Sequence, residues 1–281
     1  MSTSAEHDEA APLGPLRRVV LVCSYDGSGF HGFAAQPGQR TVQGELESTL
    51  EQMTGAPVQL RCAGRTDTGV HAVAQVTHAD LDAAFVERGE PALAFEELDF
   101  LSRSLTTQLG PAISVWRAFV APEGFDARHA ALARRYRYVI ETDARRDPLY
   151  RGASWQVTGE LDLAAMRLGC DPLFGEHDFS AFCRQPKGRE AGPLRRRVRE
   201  ATFAVEGTRL VFEIEANAFC HQMVRSIVGM LVAIGKGRRR PSDVVERLRA
   251  PDRQGMPTPA PAQGLCLVAV TYPPELGGTF A

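Results

Sequence analysis

The stretch Cys62-Ala63-Gly64-Arg65-Thr66-Asp67-Thr68-Gly69-Val70-His71-Ala72 sets one carboxylate in a polar turn with a glycine at each end. Strand-forming residues precede it at Val58, Leu60 and Cys62 and follow it at Val70, Val73 and Val76. An Asp held between an Arg and a Thr-Gly, where a strand ends, is placed for carboxylate chemistry rather than for loop filling. Two other readings fit the same residues. An Asp in a turn often accepts hydrogen bonds from its own nearby backbone. Asp67-Thr68-Gly69 is also the triplet of aspartic proteases, whose mechanism needs two such aspartates sharing a proton. No second D-T-G or D-S-G occurs, and Arg65-Thr66 stand where the protease triplet is preceded by apolar residues.

The elements that must position this turn can be read from periodicity. Residues 17–25 form a strand rich in Val and Leu, ending in Asp26-Gly27-Ser28-Gly29-Phe30-His31-Gly32. G-x-G-x-x-G after a strand has dinucleotide-binding spacing. A helix should then open on the last glycines. The chain continues instead as Phe33-Ala34-Ala35-Gln36-Pro37-Gly38, and helical spacing starts near Thr41 with Leu46, Leu50 and Met53. The glycine match is therefore read as coincidental. Strands at 57–63 and 70–79, a helix at 92–109 and a strand at 112–120 complete a ferredoxin-like order. The second half repeats it: a strand at 136–140, a helix at 162–174, strands at 196–206 and 209–216, an apolar helix at 218–235, a short helix from Pro241 and a strand at 265–272. The expectation is an α+β protein of two ferredoxin-like halves, residues 16–128 and 129–281, with antiparallel sheets joined and a cleft between them. Residues 1–15 read as a disordered tail.

Composition narrows the class. With 281 residues, 44% apolar and 23% charged, the body is that of a globular protein, and no apolar run approaches a membrane span. The first residues lack the basic start and apolar stretch of a signal peptide. Cys23, Cys62, Cys170, Cys183, Cys220 and Cys266 form no C-x-x-C pair, which predicts reduced, buried thiols in a cytoplasmic protein. Net charge is −2, so there is no overall basic field. Lys187 and Lys236 are the only lysines. Arginines cluster at Arg134, Arg135 and Arg137, at Arg195, Arg196, Arg197 and Arg199, and at Arg238, Arg239 and Arg240. Such clusters are either solvated faces or parts of one phosphate-binding surface.

Several motifs follow one another in a specific order: Tyr25-Asp26-Gly27-Ser28 with Gly32 and Gln36; Gly64 to Ala72; Phe125-Asp126-Ala127-Arg128; Arg134-Arg135-Tyr136-Arg137-Tyr138; Asp178-Phe179-Ser180-Ala181-Phe182; Asn217 to Arg225 with Gly229; and Gly264-Leu265-Cys266-Leu267. Together, from about residue 17 to 273, they resemble the TruA-type tRNA pseudouridine synthases. Two positions depart from the family pattern. Thr68 stands where the family has Ala, and Phe33-Ala34-Ala35-Gln36 replaces a stretch that usually carries Trp and a basic residue. The first change is tolerable in a turn, and the second bears on RNA contact rather than on chemistry.

The resemblance implies a cytoplasmic homodimer with a pseudouridine synthase fold that isomerises uridines 38, 39 and 40 in the anticodon stem-loop of tRNA, without metal or organic cofactor. It implies Asp67 as the catalytic carboxylate, acting as nucleophile or as electrostatic partner of a cationic sugar. Arg225 is its implied ion-pair partner. An Arg in an otherwise apolar helix is costly unless an anion meets it, although an Arg with its stem along apolar neighbours is the plain alternative. Tyr136 is implied to pack on the target uracil, with a cross-strand pair as the plain alternative. Arg65 would hold the gap left by the extruded base, and Leu265 would line the uracil pocket. His71, Arg128 and His221 are candidates for supporting contacts, and Arg134, Arg195, Arg196, Arg197, Arg238 and Arg239 for a phosphate patch. A non-catalytic RNA-binding protein is the alternative function; a protease-like hydrolase is the remote one.

Overall fold

The computed structural model describes residues 14–88, 92–145, 147–184 and 192–281. Residues 1–13 of the expected tail lie outside it. The first half runs β1 (Leu16–Tyr25), α1 (Val42–Thr54), β2 (Arg61–Cys62), β3 (His71–Asp82), a short α2 (Ala83–Glu87), α3 (Asp99–Leu109) and β4 (Ile113–Val120). The second runs β5 (Ala133–Glu141), β6 (Trp155–Gln156), α4 (Leu163–Cys170), β7 (Gly175–Asp178), β8 (Arg195–Glu206), β9 (Arg209–Ala216), α5 (Met223–Gly235), α6 (Ser242–Arg249), β10 (Leu265–Thr271) and β11 (Thr279–Phe280).

All strands belong to one sheet, in the order β4-β1-β3-β10-β5-β9-β8-β7, with β2 on β3, β6 on β5 and β11 on β10. Two antiparallel units with the same element order, β4-β1-β3-β2 and β10-β5-β9-β8, are therefore fused edge to edge. The seam is short and parallel, with Cys266 opposite His71 and Leu267 opposite Ala72. On that same edge of β3, β2 pairs further along, Cys62 opposite Thr77. The 63–70 turn leaves β2 and re-enters β3 beside the seam.

Local chemistry explains where elements depart from periodicity. The expected strand at 57–63 pairs only at Arg61–Cys62, because glutamates of α1 take its first backbone donors: Val58 N donates to Glu51 and Leu60 N to Glu47. The helix expected from residue 92 starts at Asp99, since the preceding segment lies against β4, with Phe95 N donating to Val120 O and Leu98 N to Ala118 O. The helix expected from 218 starts at Met223, after Gln222 in a left-handed conformation at φ 63°.

The strands beside the cleft carry much of the core. Val19 to Cys23 on β1 and Val76 on β3 are buried, as are Tyr138 and Ile140 on β5. In α5, Ile227, Val228, Met230 and Leu231 are buried, so the helix is covered almost all round. Gly229 makes room on this helix, since a Cβ there would lie 2.4 Å from Thr258 O. Without one, residues 258–260 run directly against the helix.

Candidate active site

The turn at Asp67 closes through Val70 N donating to Asp67 O, with Gly69 at φ 79°, a left-handed conformation that favours glycine. The Asp67 carboxylate forms no hydrogen bond to its own backbone among the described residues. Arg225 Nη1 instead donates to Asp67 Oδ2 at 3.3 Å, and His221 Nε2 lies 3.5 Å from Asp67 Oδ1. Arg225 sits in the first turn of α5, and its Nε donates to Ala260 O at 2.7 Å. One guanidinium thus joins the helix, the 258–260 segment and the carboxylate.

Tyr136 on β5 faces the same space. It is almost fully buried, its ring edge-on to Phe219 at 5.1 Å between centroids. Burial, and then the nearby Asp67 charge, hold its phenol well above the usual tyrosine range. Leu265 opens β10, the strand between β3 and β5, and lines the same cavity. Arg65 is exposed on the rim.

The cavity has a volume of about 1260 Å³. Seven arginines line it (Arg61, Arg65, Arg128, Arg134, Arg184, Arg196 and Arg225), and Asp67 is its one carboxylate among the described residues. An anionic ligand larger than a metabolite, with one reacting group reaching the carboxylate, suits that charge distribution.

Tight polar contacts fix the turn from behind. Tyr25 Oη and Thr66 Oγ1 are 2.8 Å apart, and Gln75 Nε2 donates to Gly64 O at 2.7 Å. Phe33 N donates to Thr66 O at 3.0 Å. The glycine-rich loop after β1 is fitted to this turn. A Cβ at Gly27 would lie 2.0 Å from Val70 O, and one at Gly32, where φ is 93°, 3.0 Å from Thr66 O. The G-x-G-x-x-G spacing therefore reflects close backbone approach, a role that sequence reasoning missed. Phe219, Gln75 and Tyr25 were also missed as site residues, although Phe219 lies within a motif and Tyr25 directly precedes the glycine-rich loop.

His71 does not reach the cavity. Its Nδ1 accepts from Gly27 N at 3.1 Å and lies 3.1 Å from Asp26 Oδ1, while Nε2 is 2.9 Å from Gly152 O. It ties the glycine loop to the second half. Arg128 and His221 line the cavity.

Of the six arginines expected to form a phosphate patch, Arg134 and Arg196 line the cavity. Along β8 successive side chains point to opposite faces: Arg196 lines the cavity, while Arg197 pairs with Glu176 at 3.1 Å and Arg195 is exposed away from it. Arg135 pairs with Glu200 and Glu215, and Arg137 with Glu206. Arg238 and Arg239, past the end of α5, do not line the cavity, and Arg239 donates to Gly255 O. Arg134 is buried and bonds only to backbone carbonyls among the described residues. Cys183 and Cys220, read in the sequence as separate reduced thiols, are brought together beside His221, with Cα atoms 5.7 Å apart. Their separation of 37 residues gives no spacing signal; only the fold brings the loop after Phe182 onto the turn before α5. Cys23, Cys62, Cys170 and Cys266 are free.

Comparison with known proteins gives the family. A family model described as tRNA pseudouridine synthase matches residues 21–91 and 170–273. A tRNA pseudouridine synthase A from Frankia casuarinae is 44% identical over 263 residues, covering 92% of this chain and 91% of that protein. Proteins of the same name from Leifsonia xyli subsp. xyli and Legionella pneumophila are 42% and 40% identical, each covering 92% of this chain and 94% of the relative.

Proposed function

Because this chain belongs to the tRNA pseudouridine synthase family, we propose that it isomerises uridines 38, 39 and 40 in the anticodon stem-loop of tRNA, with Asp67 as the reacting carboxylate. The observation that carries this reading is the contact of Asp67 with Arg225 in an arginine-lined cavity that has no other carboxylate among its described residues. A hydrolase that works by a pair of aspartates finds no second one among the described residues of the cavity.

In this reading the target uridine leaves the stem to reach the carboxylate. Arg65, on the rim, occupies the gap. The uracil lies against Tyr136 and Leu265. Asp67 acts at the sugar while the N1–C1′ bond breaks. The uracil turns, C5 joins C1′, the C5 proton departs and N1 takes up a proton, so atoms balance without water or an electron carrier. Arg225 and His221 flank the two oxygens of the carboxylate and fix its orientation. Tyr136 works as a protonated phenol, consistent with the upward push of burial and of Asp67. Phosphate contact is assigned to Arg128, Arg184 and Arg196 on the cavity wall, with Arg195, Arg197, Arg238 and Arg239 set aside. Residues 16–128 then supply Asp67 and Arg65, and residues 129–281 supply Tyr136, Arg225 and Leu265.

No helix among the described residues is long and apolar enough to cross a membrane. From its membership of a tRNA-modifying family we assign the enzyme to the cytoplasm. By the same resemblance it acts as a homodimer, which light scattering of the purified protein tests directly. The activity is tested with tRNA carrying tritium at uridine C5. Wild type should release label to water, and Asp67→Asn should bind tRNA without release. Release by both proteins, or by neither, refutes the assignment.

A further inference from the structure

Arg134 is the cluster arginine whose surroundings are least like a phosphate site. It stands on β5, opposite Ala216 of β9 and Val270 of β10, and is only 7% exposed. No carboxylate pairs with it among the described residues. Its guanidinium is directed at main-chain carbonyls. Nε and Nη2 donate to Ala63 O at 3.1 and 2.7 Å, and Nη2 also to Arg128 O at 2.7 Å. Nη1 donates to Asn217 O at 2.8 Å and to Ala131 O at 2.9 Å. A buried charge is costly, and carbonyl dipoles alone offset it only when every donor is well placed. Here burial pulls the guanidinium below the usual arginine range.

The places these carbonyls occupy give the arrangement its meaning. Ala63 lies at the start of the Asp67 turn, where Gln75 from the first half already holds the next carbonyl, Gly64 O. Asn217 begins the segment that leads through Phe219 and His221 to Arg225. These two segments are far apart in sequence, Asp67 and Arg225 being 158 residues apart. Arg134 is the side chain that bonds to the root of both. Behind the Asp67–Arg225 contact it sets the spacing of the two arms that make it.

We infer that Arg134 is a positioning residue, which holds the Asp67 turn and the Asn217–Arg225 segment in register for the reaction and makes no contact with tRNA phosphate. The inference rests on the reading of Asp67 and Arg225 as the reacting pair. A lysine in its place keeps the charge but has one ammonium where the guanidinium forks to carbonyls on three sides. A methionine keeps the stem and leaves four carbonyls without this donor. A misplacement of about 1 Å at a reacting group costs on the order of 100-fold in rate.

The test uses full-length Arg134→Met and Arg134→Lys beside wild type and Asp67→Asn. Single-turnover tritium release gives the rate, and tRNA binding is measured across a salt series. Both variants should fold, lose about 100-fold in rate, and bind tRNA within about threefold of wild type with an unchanged salt slope. Hydrogen exchange should accelerate at residues 63–70 and 217–222 more than in the rest of the sheet, a readout that does not depend on turnover. Wild-type release that disappears in Asp67→Asn supports the activity reading separately from the Arg134 result. Weaker binding with a salt slope smaller by about one would make Arg134 a phosphate contact and overturn the inference. A rate within threefold of wild type, or exchange that rises uniformly, overturns it too. Failure of both variants to fold would make Arg134 a determinant of the whole fold instead, with the same consequence.

Discussion

Replacing Arg225 with methionine keeps the aliphatic stem within α5 and removes the cation that faces Asp67. At 3.3 Å and an effective dielectric constant of about 20, the pair interacts by about 5 kcal/mol. That figure is an upper bound, for two structural reasons. The Arg225 and Asp67 side chains are 17% and 22% exposed, so water screens part of the interaction, and His221 remains 3.5 Å from the other carboxylate oxygen. Halving the interaction leaves about 2–3 kcal/mol, or about 30- to 150-fold in rate. Ala260 O also loses its donor, which costs stability by about 1–2 kcal/mol without adding to the rate effect. Arg225→Lys separates the two contributions: its ammonium can face Asp67 or Ala260 O but cannot fork to both, so part of the rate should return. The assay is single-turnover tritium release with saturating tRNA, beside a binding titration. The expected result is a fall in rate with tRNA affinity within about threefold of wild type. If affinity and rate fall together, with a smaller salt slope, Arg225 binds phosphate and does not serve as the partner of Asp67.

The glycine loop and the buried phenols give two further expectations. Gly32→Ala places a Cβ at φ 93° and 3.0 Å from Thr66 O, so it should destabilise by about 1–3 kcal/mol and slow turnover more than it weakens tRNA binding; unchanged turnover in a folded variant would detach this loop from the site. Tyr25, Tyr136, Tyr138 and Tyr272 are all raised by burial. A folded state that holds these protons more tightly than the unfolded chain is fully favoured below about pH 10 and loses that advantage as pH rises further. Alkaline titration should therefore show four of the five tyrosines forming phenolate only as circular dichroism reports unfolding, and four phenols ionising in the native state would contradict their burial.

Much of this arrangement was legible in the sequence because it is written in local periodicity. A Val- and Leu-rich run at 17–25, alternation at 196–206 and 209–216 and helical spacing at Leu46, Leu50 and Met53 gave the two repeated halves. The Asp67 turn was visible as a polar interruption between strands. What the sequence concealed depends on orientation and long-range approach. Arg134, Arg135 and Arg137 read as one cluster, yet on a strand neighbours face opposite ways. Arg134 is buried among carbonyls, while its neighbours pair with glutamates on the other face. Residues 58 and 60 carried strand-like side chains, but their backbone donors were claimed by glutamates of α1 (Val42–Thr54). The glycines at 27 and 32 matched a nucleotide-binding spacing, although their reason lies in Val70 O and Thr66 O. That contact cannot be inferred from spacing along the chain.

The seam explains why so many of these contacts cross between the halves. Its sheet pairing consists of two parallel residue pairs, at His71 and Ala72. Two pairs alone would hold the halves weakly, since parallel pairing is slightly less stable per residue than antiparallel pairing. Aromatic packing also crosses the junction, Phe119 on Phe280 and Phe125 on Tyr272, and the polar ties beside the seam are directional: His71 to Gly152 O, Arg134 to Ala63 O, and Arg225 to Asp67. Each fixes one angle or distance that apolar packing would leave adjustable. The carboxylate is thus held where both halves contribute to its position. A change that loosens the seam should be felt at Asp67 before it is felt in the core, because Val22, Leu46, Phe212 and Leu231 are buried well within their own halves and make no use of the junction's polar ties. Slow turnover with little loss of melting temperature is the signature expected of substitutions at the seam.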